Sequence, residues 1–201
     1  MDWIKRSYDA TGLTQYPVGR HLRAVQDRLG GSVFLCLDVS GSMLGSPLRQ
    51  ATEGCRRFVA DALEAHYQVA LLLWHHGVAD YTELTRDIGV IDRLLAKAVA
   101  SGGNDILPTL RHCEAVLTRE RGDLVIAIFG DGDLGNPQAA QAEASRLAAK
   151  NIRIMTCGLG NASAEQLNVI STEAGEAPRV ASAGQIADAI ASMATGLTKK
   201  R

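Results

Sequence analysis

Short apolar runs alternate with amphipathic segments along most of this chain from residue 32 onward. Four runs are rich in aliphatic residues and bounded by glycine or polar positions, which predicts strands at 33–37, 68–74, 124–129 and 152–157. A weaker alternating stretch predicts a short antiparallel edge strand at 80–84. Apolar residues at helical spacing predict helices over 46–64, 88–99, 106–117, 137–150, 163–174 and 183–197.

Strands that alternate with helices favour a parallel sheet covered on both faces. The predicted fold class is therefore α/β, a doubly wound, mainly parallel central sheet with one short antiparallel edge strand and helices on both faces. Residues 1–30 are more polar and are interpreted as an N-terminal extension, with a short helix at 20–29. Residues 31–198 form one predicted domain, and residues 199–201 a basic tail.

Composition and charge narrow the functional classes. The 201 residues include 21 basic and 22 acidic side chains, so a net charge of -1 gives no electrostatic argument for binding nucleic acid or a membrane. No run approaches the roughly 18 apolar residues of a membrane helix, and the first residues lack the apolar region of a signal peptide. Cys36, Cys55, Cys113 and Cys157 lack zinc-type spacing. We expect buried thiols in a reduced, cytoplasmic protein.

Oxygen-bearing side chains follow two of the predicted buried strands. Asp38, Ser40 and Ser42 come directly after strand 33–37, and Gly41 allows the tight bend that lets them converge. Asp131 follows strand 124–129 in the sequence Gly-Asp-Gly. The carboxyl ends of parallel strands are where ligands bind in such sheets, and these side chains are hard donors that suit Mg²⁺, Mn²⁺ or Ca²⁺.

The pattern resembles the von Willebrand factor A domain, also called the integrin I-like domain. The resemblance covers roughly residues 31–198. It consists of a strand followed by Asp-x-Ser-x-Ser and a helix (VFLCLDVSGSM), a later Gly102-Gly103 pair before a helix, and a strand followed by Gly-Asp-Gly. It implies a Rossmann-like fold with a metal-ion-dependent adhesion site at the top of the sheet.

Carried onto this chain, the family's ligands are Asp38, Ser40, Ser42 and Asp131. Asn104 stands where the family usually has threonine, and its amide oxygen is a further candidate ligand. Gly130 likewise replaces a common threonine. The resemblance implies that Mg²⁺, or alternatively Mn²⁺ or Ca²⁺, is completed by a partner protein's Asp or Glu. It also implies a non-enzymatic scaffold subunit in an intracellular multiprotein system, with an ATPase or kinase as partner.

Two other functions stay open from the residues. Asn104 favours a structural subunit with a vestigial metal site, which would bind through residues 1–30. A metal-dependent hydrolase is a third reading, although no nucleophile or general base is evident. If the loop register shifts by one, Asp105 becomes a ligand candidate. His75 and His76 are predicted to lie on opposite faces and therefore not to bind one ion together.

Overall fold

The computed structural model describes residues 30–173 and 176–198, and a six-stranded sheet forms their centre. The strands are β1 (Gly31–Asp38), β2 (Gln68–Trp74), β3 (Val78–Tyr81), β4 (Asp123–Gly130), β5 (Ile152–Leu159) and β6 (Arg179–Ala181). Their order across the sheet is β3-β2-β1-β4-β5-β6, and only the β2–β3 pair is antiparallel. The structure confirms the predicted fold class.

Helices cover both faces of the sheet. They are α1 (Ser46–Glu64), α2 (Ile88–Leu95), α3 (Leu107–Leu117), α4 (Pro137–Ala149), α5 (Asn161–Asn168), α6 (Ile186–Ser192) and α7 (Thr195–Thr198). Successive β1 residues face opposite ways, so Leu35 belongs to an apolar cluster with residues of α1, α2, α6 and α7, whereas Phe34 belongs to one with residues of α3, α4 and α5. Of the helices in the described ranges, none combines the length and apolarity needed to cross a bilayer.

Strand β1 lies at the point where the chain reverses its direction across the sheet. Its neighbours are β2 on one side and β4 on the other, so the loops after β1 and β4 leave the same edge in opposite directions. Such a reversal opens a crevice at the carboxyl ends of the strands. Asp38 is the last residue of β1 and Gly130 the last of β4, which places both predicted metal-binding loops at this crevice.

Most errors in the predicted elements concern where helices begin and end. Helix α1 spans the predicted 46–64, and Gly45 precedes it with φ +88°, a conformation that favours glycine. Helix α2 stops at Leu95 instead of residue 99, and Val99 is 71% exposed, so continuing the helix would bury no apolar side chain there. The edge strand lies at Val78–Tyr81 instead of 80–84.

The C-terminal third differs more from the prediction. The predicted helix 163–174 is α5, which starts earlier and ends at Asn168, because Thr172 bonds to Ile154 of β5 instead. The predicted helix 183–197 is divided into α6 and α7. The three-residue strand β6 was missed because so short a segment has no periodicity. The predicted extension 1–30 with its helix at 20–29 lies, apart from Gly30, outside the described residues, as does the tail.

Candidate metal-ion site

Asp38 is the innermost group of the candidate site. Its side chain is fully buried at the end of β1, where Oδ1 accepts a hydrogen bond from the Ser40 N–H at 2.7 Å. Its Oδ2 accepts another from the Asp131 N–H at 3.2 Å. Burial raises the pKa of Asp38 from 3.8 to about 6; the bonds from Ser40 and Asp131 oppose this rise, and the charge of Asp131 adds to it. A buried carboxylate of this kind is stabilised by a nearby positive charge.

The two serines lie in the turn that links β1 to α1. Ser40 keeps an extended backbone, and Gly41–Met43 then forms one turn of 3-10 helix. This geometry brings the Ser40 and Ser42 hydroxyl oxygens to 3.0 Å from each other, although Ser40 is buried and Ser42 exposed. Ser42 also donates a short hydrogen bond to Oδ2 of Asp131. The turn therefore links the loop after β1 (residues 39–45, the first loop) to the loop after β4 (residues 131–136, the third loop).

Asn104 completes the group from the second loop, residues 96–106 between α2 and α3. Its amide nitrogen donates to Oδ2 of Asp38 at 3.3 Å and to Oδ1 of Asp131 at 3.1 Å. The amide N–H₂ therefore lies between the two carboxylates. The sequence predicted the amide oxygen as a metal ligand, and nothing in the sequence indicated that the nitrogen would face the acids.

Gly130 allows β4 to approach Asp38 closely. A Cβ atom at this position would lie 2.8 Å from Oδ2 of Asp38 and 3.1 Å from Cζ2 of Trp74. Both neighbouring residues are fully buried, so neither can move away easily. The family's usual threonine would therefore clash with Asp38 at this position, and glycine avoids the clash.

The neighbouring acids have local structural roles. Oδ1 of Asp105 accepts a hydrogen bond from the Leu107 N–H at 3.0 Å, at the start of α3. Oδ1 of Asp133 accepts one from the Gly135 N–H at 2.9 Å. These bonds account for both acids as loop-forming residues, and Asn104 rather than Asp105 contacts Asp38 and Asp131.

The histidines after β2 differ from the prediction. The rings of His75 and His76 are stacked, with centroids 4.2 Å apart and planes 20° from parallel, so they do not face opposite ways. They lie beyond the last residue of β2, where the alternation of a strand no longer applies. They support the second loop, because a Cβ on Gly102 would lie 2.7 Å from Nδ1 of His76.

The donor set fits a hard divalent cation. Two carboxylates and two hydroxyls come together here. Ser40 contacts Ser42, and Ser42 contacts Asp131. The amide of Asn104 then connects Asp131 to Asp38. Within 30–173 and 176–198, no group of three or more His, Cys, Asp or Glu side chains is arranged to hold a metal. Any ion here would therefore depend on the serine hydroxyls, which suits Mg²⁺ or Mn²⁺ better than a soft metal.

Comparison with known proteins identifies the architecture. The model of the von Willebrand factor type A domain family matches residues 33–133, which is half of the chain. No curated protein sequence matches. Among solved structures, the vWF domain of the type V pili tip protein Mfa5 from Porphyromonas gingivalis has a TM-score of 0.73 at 13% identity, covering 87% of this chain and 98% of that one.

Two other similar structures are of proteins with bound metal ions. Manganese-loaded TRAP protein from Plasmodium vivax has a TM-score of 0.63 at 16% identity, covering 82% of this chain and 72% of that one. Proximal thread matrix protein 1 from the mussel byssus, with a zinc-occupied MIDAS motif, has a TM-score of 0.68 at 16% identity, covering 84% and 46%. By its family match and its fold, this chain belongs to the von Willebrand factor type A domain family.

Proposed function

We propose that this domain binds a partner protein through a divalent cation held by Asp38, Ser40, Ser42 and Asp131. Mg²⁺ is the first candidate, with Mn²⁺ and Ca²⁺ as alternatives. The observation that carries the proposal is the convergence of the buried Asp38 carboxylate with Asp131 and two hydroxyls at the crevice beside β1. The manganese and zinc in two structural relatives support it. When bound, the ion would supply an open coordination position for a partner's Asp or Glu.

The residues would have different roles in such a site. Asp38 supplies the buried negative charge, and backbone N–H groups of Ser40 and Asp131 fix its orientation. Hydroxyls are neutral ligands, so charged groups of this chain would take only two of the ion's coordination positions, and an open position would remain for a partner's carboxylate. Ser42 is exposed and Asp131 half-buried, which leaves this side of the site accessible from solvent.

Apolar side chains beside the site favour a protein as the partner. Leu44 and Val99 are 73% and 71% exposed, the highest values for large hydrophobic residues in the described part of the chain. They flank two loops that touch each other, since Gly41 N–H bonds to Gly102 O at 3.1 Å. A protein segment with an apolar residue next to its acidic residue would bury this surface.

Capture with and without the ion tests the proposed function. The immobilised chain is incubated with extract of its source cells in Mg²⁺ or in EDTA, alongside a Ser40→Ala/Ser42→Ala variant. We expect proteins that are retained by the unchanged chain in Mg²⁺ and lost in EDTA and with the variant. Ser145→Ala removes an exposed serine of α4 and is the matched control. Equal retention in EDTA would contradict the proposal.

One observation favours a second candidate, a structural subunit with a vestigial site. The Asn104 amide bonds to both carboxylates, so the protein itself supplies hydrogen bonds to the two acids. Binding would then use residues 1–30, and deleting them would abolish capture whatever the ion. The absence of enzymatic activity, a cytoplasmic location and an ATPase or kinase partner all stay predictions. A phosphoester hydrolysis assay in Mg²⁺ and Mn²⁺ tests the first of these.

A further inference from the structure

The Asn104 side chain occupies the position between the two acids of the site. Its Nδ2 lies 3.3 Å from Oδ2 of Asp38 and 3.1 Å from Oδ1 of Asp131, and no other side-chain donor bonds to both carboxylates among the described residues. A divalent cation would be attracted to the same point, because that is where the two negative charges converge. The amide hydrogens, which carry partial positive charge, provide part of this attraction without an ion.

The remaining oxygen donors are also engaged with each other. Ser42 donates to Asp131, and the Ser40 and Ser42 hydroxyl oxygens are 3.0 Å apart. Asp38 accepts two backbone N–H bonds besides the amide. An arriving ion must therefore replace existing hydrogen bonds to the carboxylates, which are charge-assisted. Among them, those from the Asn104 side chain reach both acids.

The backbone around Asn104 leaves mainly the side chain free to move. On one side, Ser101 N–H bonds to Val39 O at 2.7 Å, and on the other, Asp105 N–H bonds to His75 O at 2.8 Å. A Cβ on Gly135 would lie 2.8 Å from the backbone carbonyl oxygen of Asn104, so the third loop packs closely against the backbone of the second loop. An ion would have to displace the amide by rotating the side chain, since the loop is held in place.

We propose that Asn104 is an internal competitor of the cation, with its amide N–H₂ standing in for the ion in the ion-free domain. This inference rests on the proposed function and adds its regulation. The stand-in stabilises the ion-free state and weakens ion binding. Tight occupancy then requires the additional carboxylate of a partner, so the ion and the partner bind together.

The competing interpretation makes Asn104 a ligand through its amide oxygen. The amide would then have to turn by half a rotation, so that Oδ1 replaces Nδ2. The two roles give opposite signs for the same substitution. Removing a competitor tightens ion binding, whereas removing a ligand weakens it.

Calorimetric titration of Mn²⁺ and of Mg²⁺ into the metal-stripped chain measures this sign. The variants are Asn104→Ala and Asn104→Val, whose side chains neither donate a hydrogen bond nor ligate a metal ion. Asn168→Ala, at the far end of α5, is the matched control. Because hydrogen bonds to charged groups are among the stronger ones, we expect Kd for Mn²⁺ to fall about tenfold in both Asn104 variants. We also expect a lower Tm in EDTA, restored by Mn²⁺.

The outcomes separate the inference from the proposed function. An unchanged or weaker Kd in Asn104→Ala, or an unchanged Tm in EDTA, would overturn the competitor role while leaving ion binding by the unchanged chain intact. If Asn104→Ala does not fold, the same comparison with Asn104→Val decides. Binding of Mn²⁺ to neither the unchanged chain nor the two variants would refute the proposed function itself, and the competitor role with it.

Discussion

At the scale of single residues, the site combines one costly feature with several compensating contacts. The Asp38 carboxylate is fully buried, and burial disfavours its charged form. Two backbone N–H groups and the Asn104 amide offset part of that cost. The second carboxylate, Asp131, adds repulsion, so the site is expected to be less stable than a neutral one until a cation is bound.

Asp131→Asn tests this electrostatic account. The amide of the variant can still accept bonds from Asn104 and from the Asp133 N–H, and it can donate to Ser42, so the contacts are preserved. One of two neighbouring negative charges is removed. We expect the free energy of unfolding in EDTA, measured by urea denaturation at pH 7.5, to be equal to or higher than that of the unchanged chain. A loss of more than about 1 kcal/mol, a typical single hydrogen bond, would contradict this account.

At this scale the sequence predicted which side chains of the candidate site come together, and the reasons are local. Asp38, Ser40, Ser42 and Asp131 follow apolar strands directly, so their position at the edge of the sheet can be inferred from the chain alone. The direction of the Asn104 amide could not be inferred. It depends on contacts with loops distant in sequence, at Val39, His75 and Gly135.

At the scale of helices and strands, the crevice depends on how closely the elements pack. Helix α1 begins with Ser46, directly after the first loop. Gly54, in the middle of the helix, packs against α6. The strands were predictable because continuous apolar runs have few other interpretations. The division of the last helix into α6 and α7 was not, because the apolar periodicity continues across Met193 and Ala194, which are both buried.

Gly54→Ala tests the α1–α6 contact. Alanine favours a helix over glycine by about 1 kcal/mol, but its Cβ would lie 2.8 Å from the Ala187 backbone and 2.9 Å from the Ile190 Cβ. Because backbone cannot rotate away, we expect overpacking of about 1–3 kcal/mol to exceed the propensity gain, so urea denaturation should show lower stability. Ser145→Ala, on an exposed face, should be neutral or stabilising. Higher stability of Gly54→Ala would contradict the expected overpacking and would show that α6 can move away from α1 at little cost.

Glu114→Gln tests the connection between α3 and α4. The Glu114 carboxylate accepts bonds from Lys150 and Arg146, each at 2.6 Å, and these bonds, Lys150 first, lower the pKa of Glu114 below its usual 4.5. A lowered pKa stabilises the fold above the unfolded pKa, and the contribution is lost as the pH falls through the folded pKa. We expect the unchanged chain to have the higher Tm at pH 7, and the difference to shrink below pH 4.5. A difference that is constant with pH would refute an ionic origin.

At the scale of the whole molecule, polar and apolar groups lie side by side at the carboxyl end of the sheet. The carboxyl end carries the candidate ion site, with Leu44 and Val99 exposed around it. Beyond Leu44, a groove of about 440 Å³ is lined by Pro47, Leu159 and Ala183, among others. The sequence predicted the crevice through the alternation of strands and helices. It did not predict the apolar rim, because exposure of a single leucine or valine depends on the tertiary packing.

Leu44→Ser tests whether this rim contributes to partner binding. Burying a leucine side chain contributes about 1.5–3 kcal/mol, so we expect partner capture in Mg²⁺ to weaken about 10- to 100-fold with the Kd for Mg²⁺ unchanged. Ile88→Ser is the control. Ile88 is also exposed, but it begins α2 at the opposite end of the sheet, near Arg86, which lines a groove with the first residues of β1 and β2. Equal capture by both variants would exclude Leu44 from the interface.

The measurement that tests the central claim most directly is thermal unfolding in EDTA and in saturating Mg²⁺ or Mn²⁺, for the unchanged chain and Asp131→Asn. A ligand at 100 times its Kd stabilises by about 2.7 kcal/mol, which for a domain of this size is a rise in Tm of about 5–10 °C. The account predicts this rise for the unchanged chain and a much smaller one for the variant. The same Tm with and without ions, or an equal rise in Asp131→Asn, would contradict ion binding at this site.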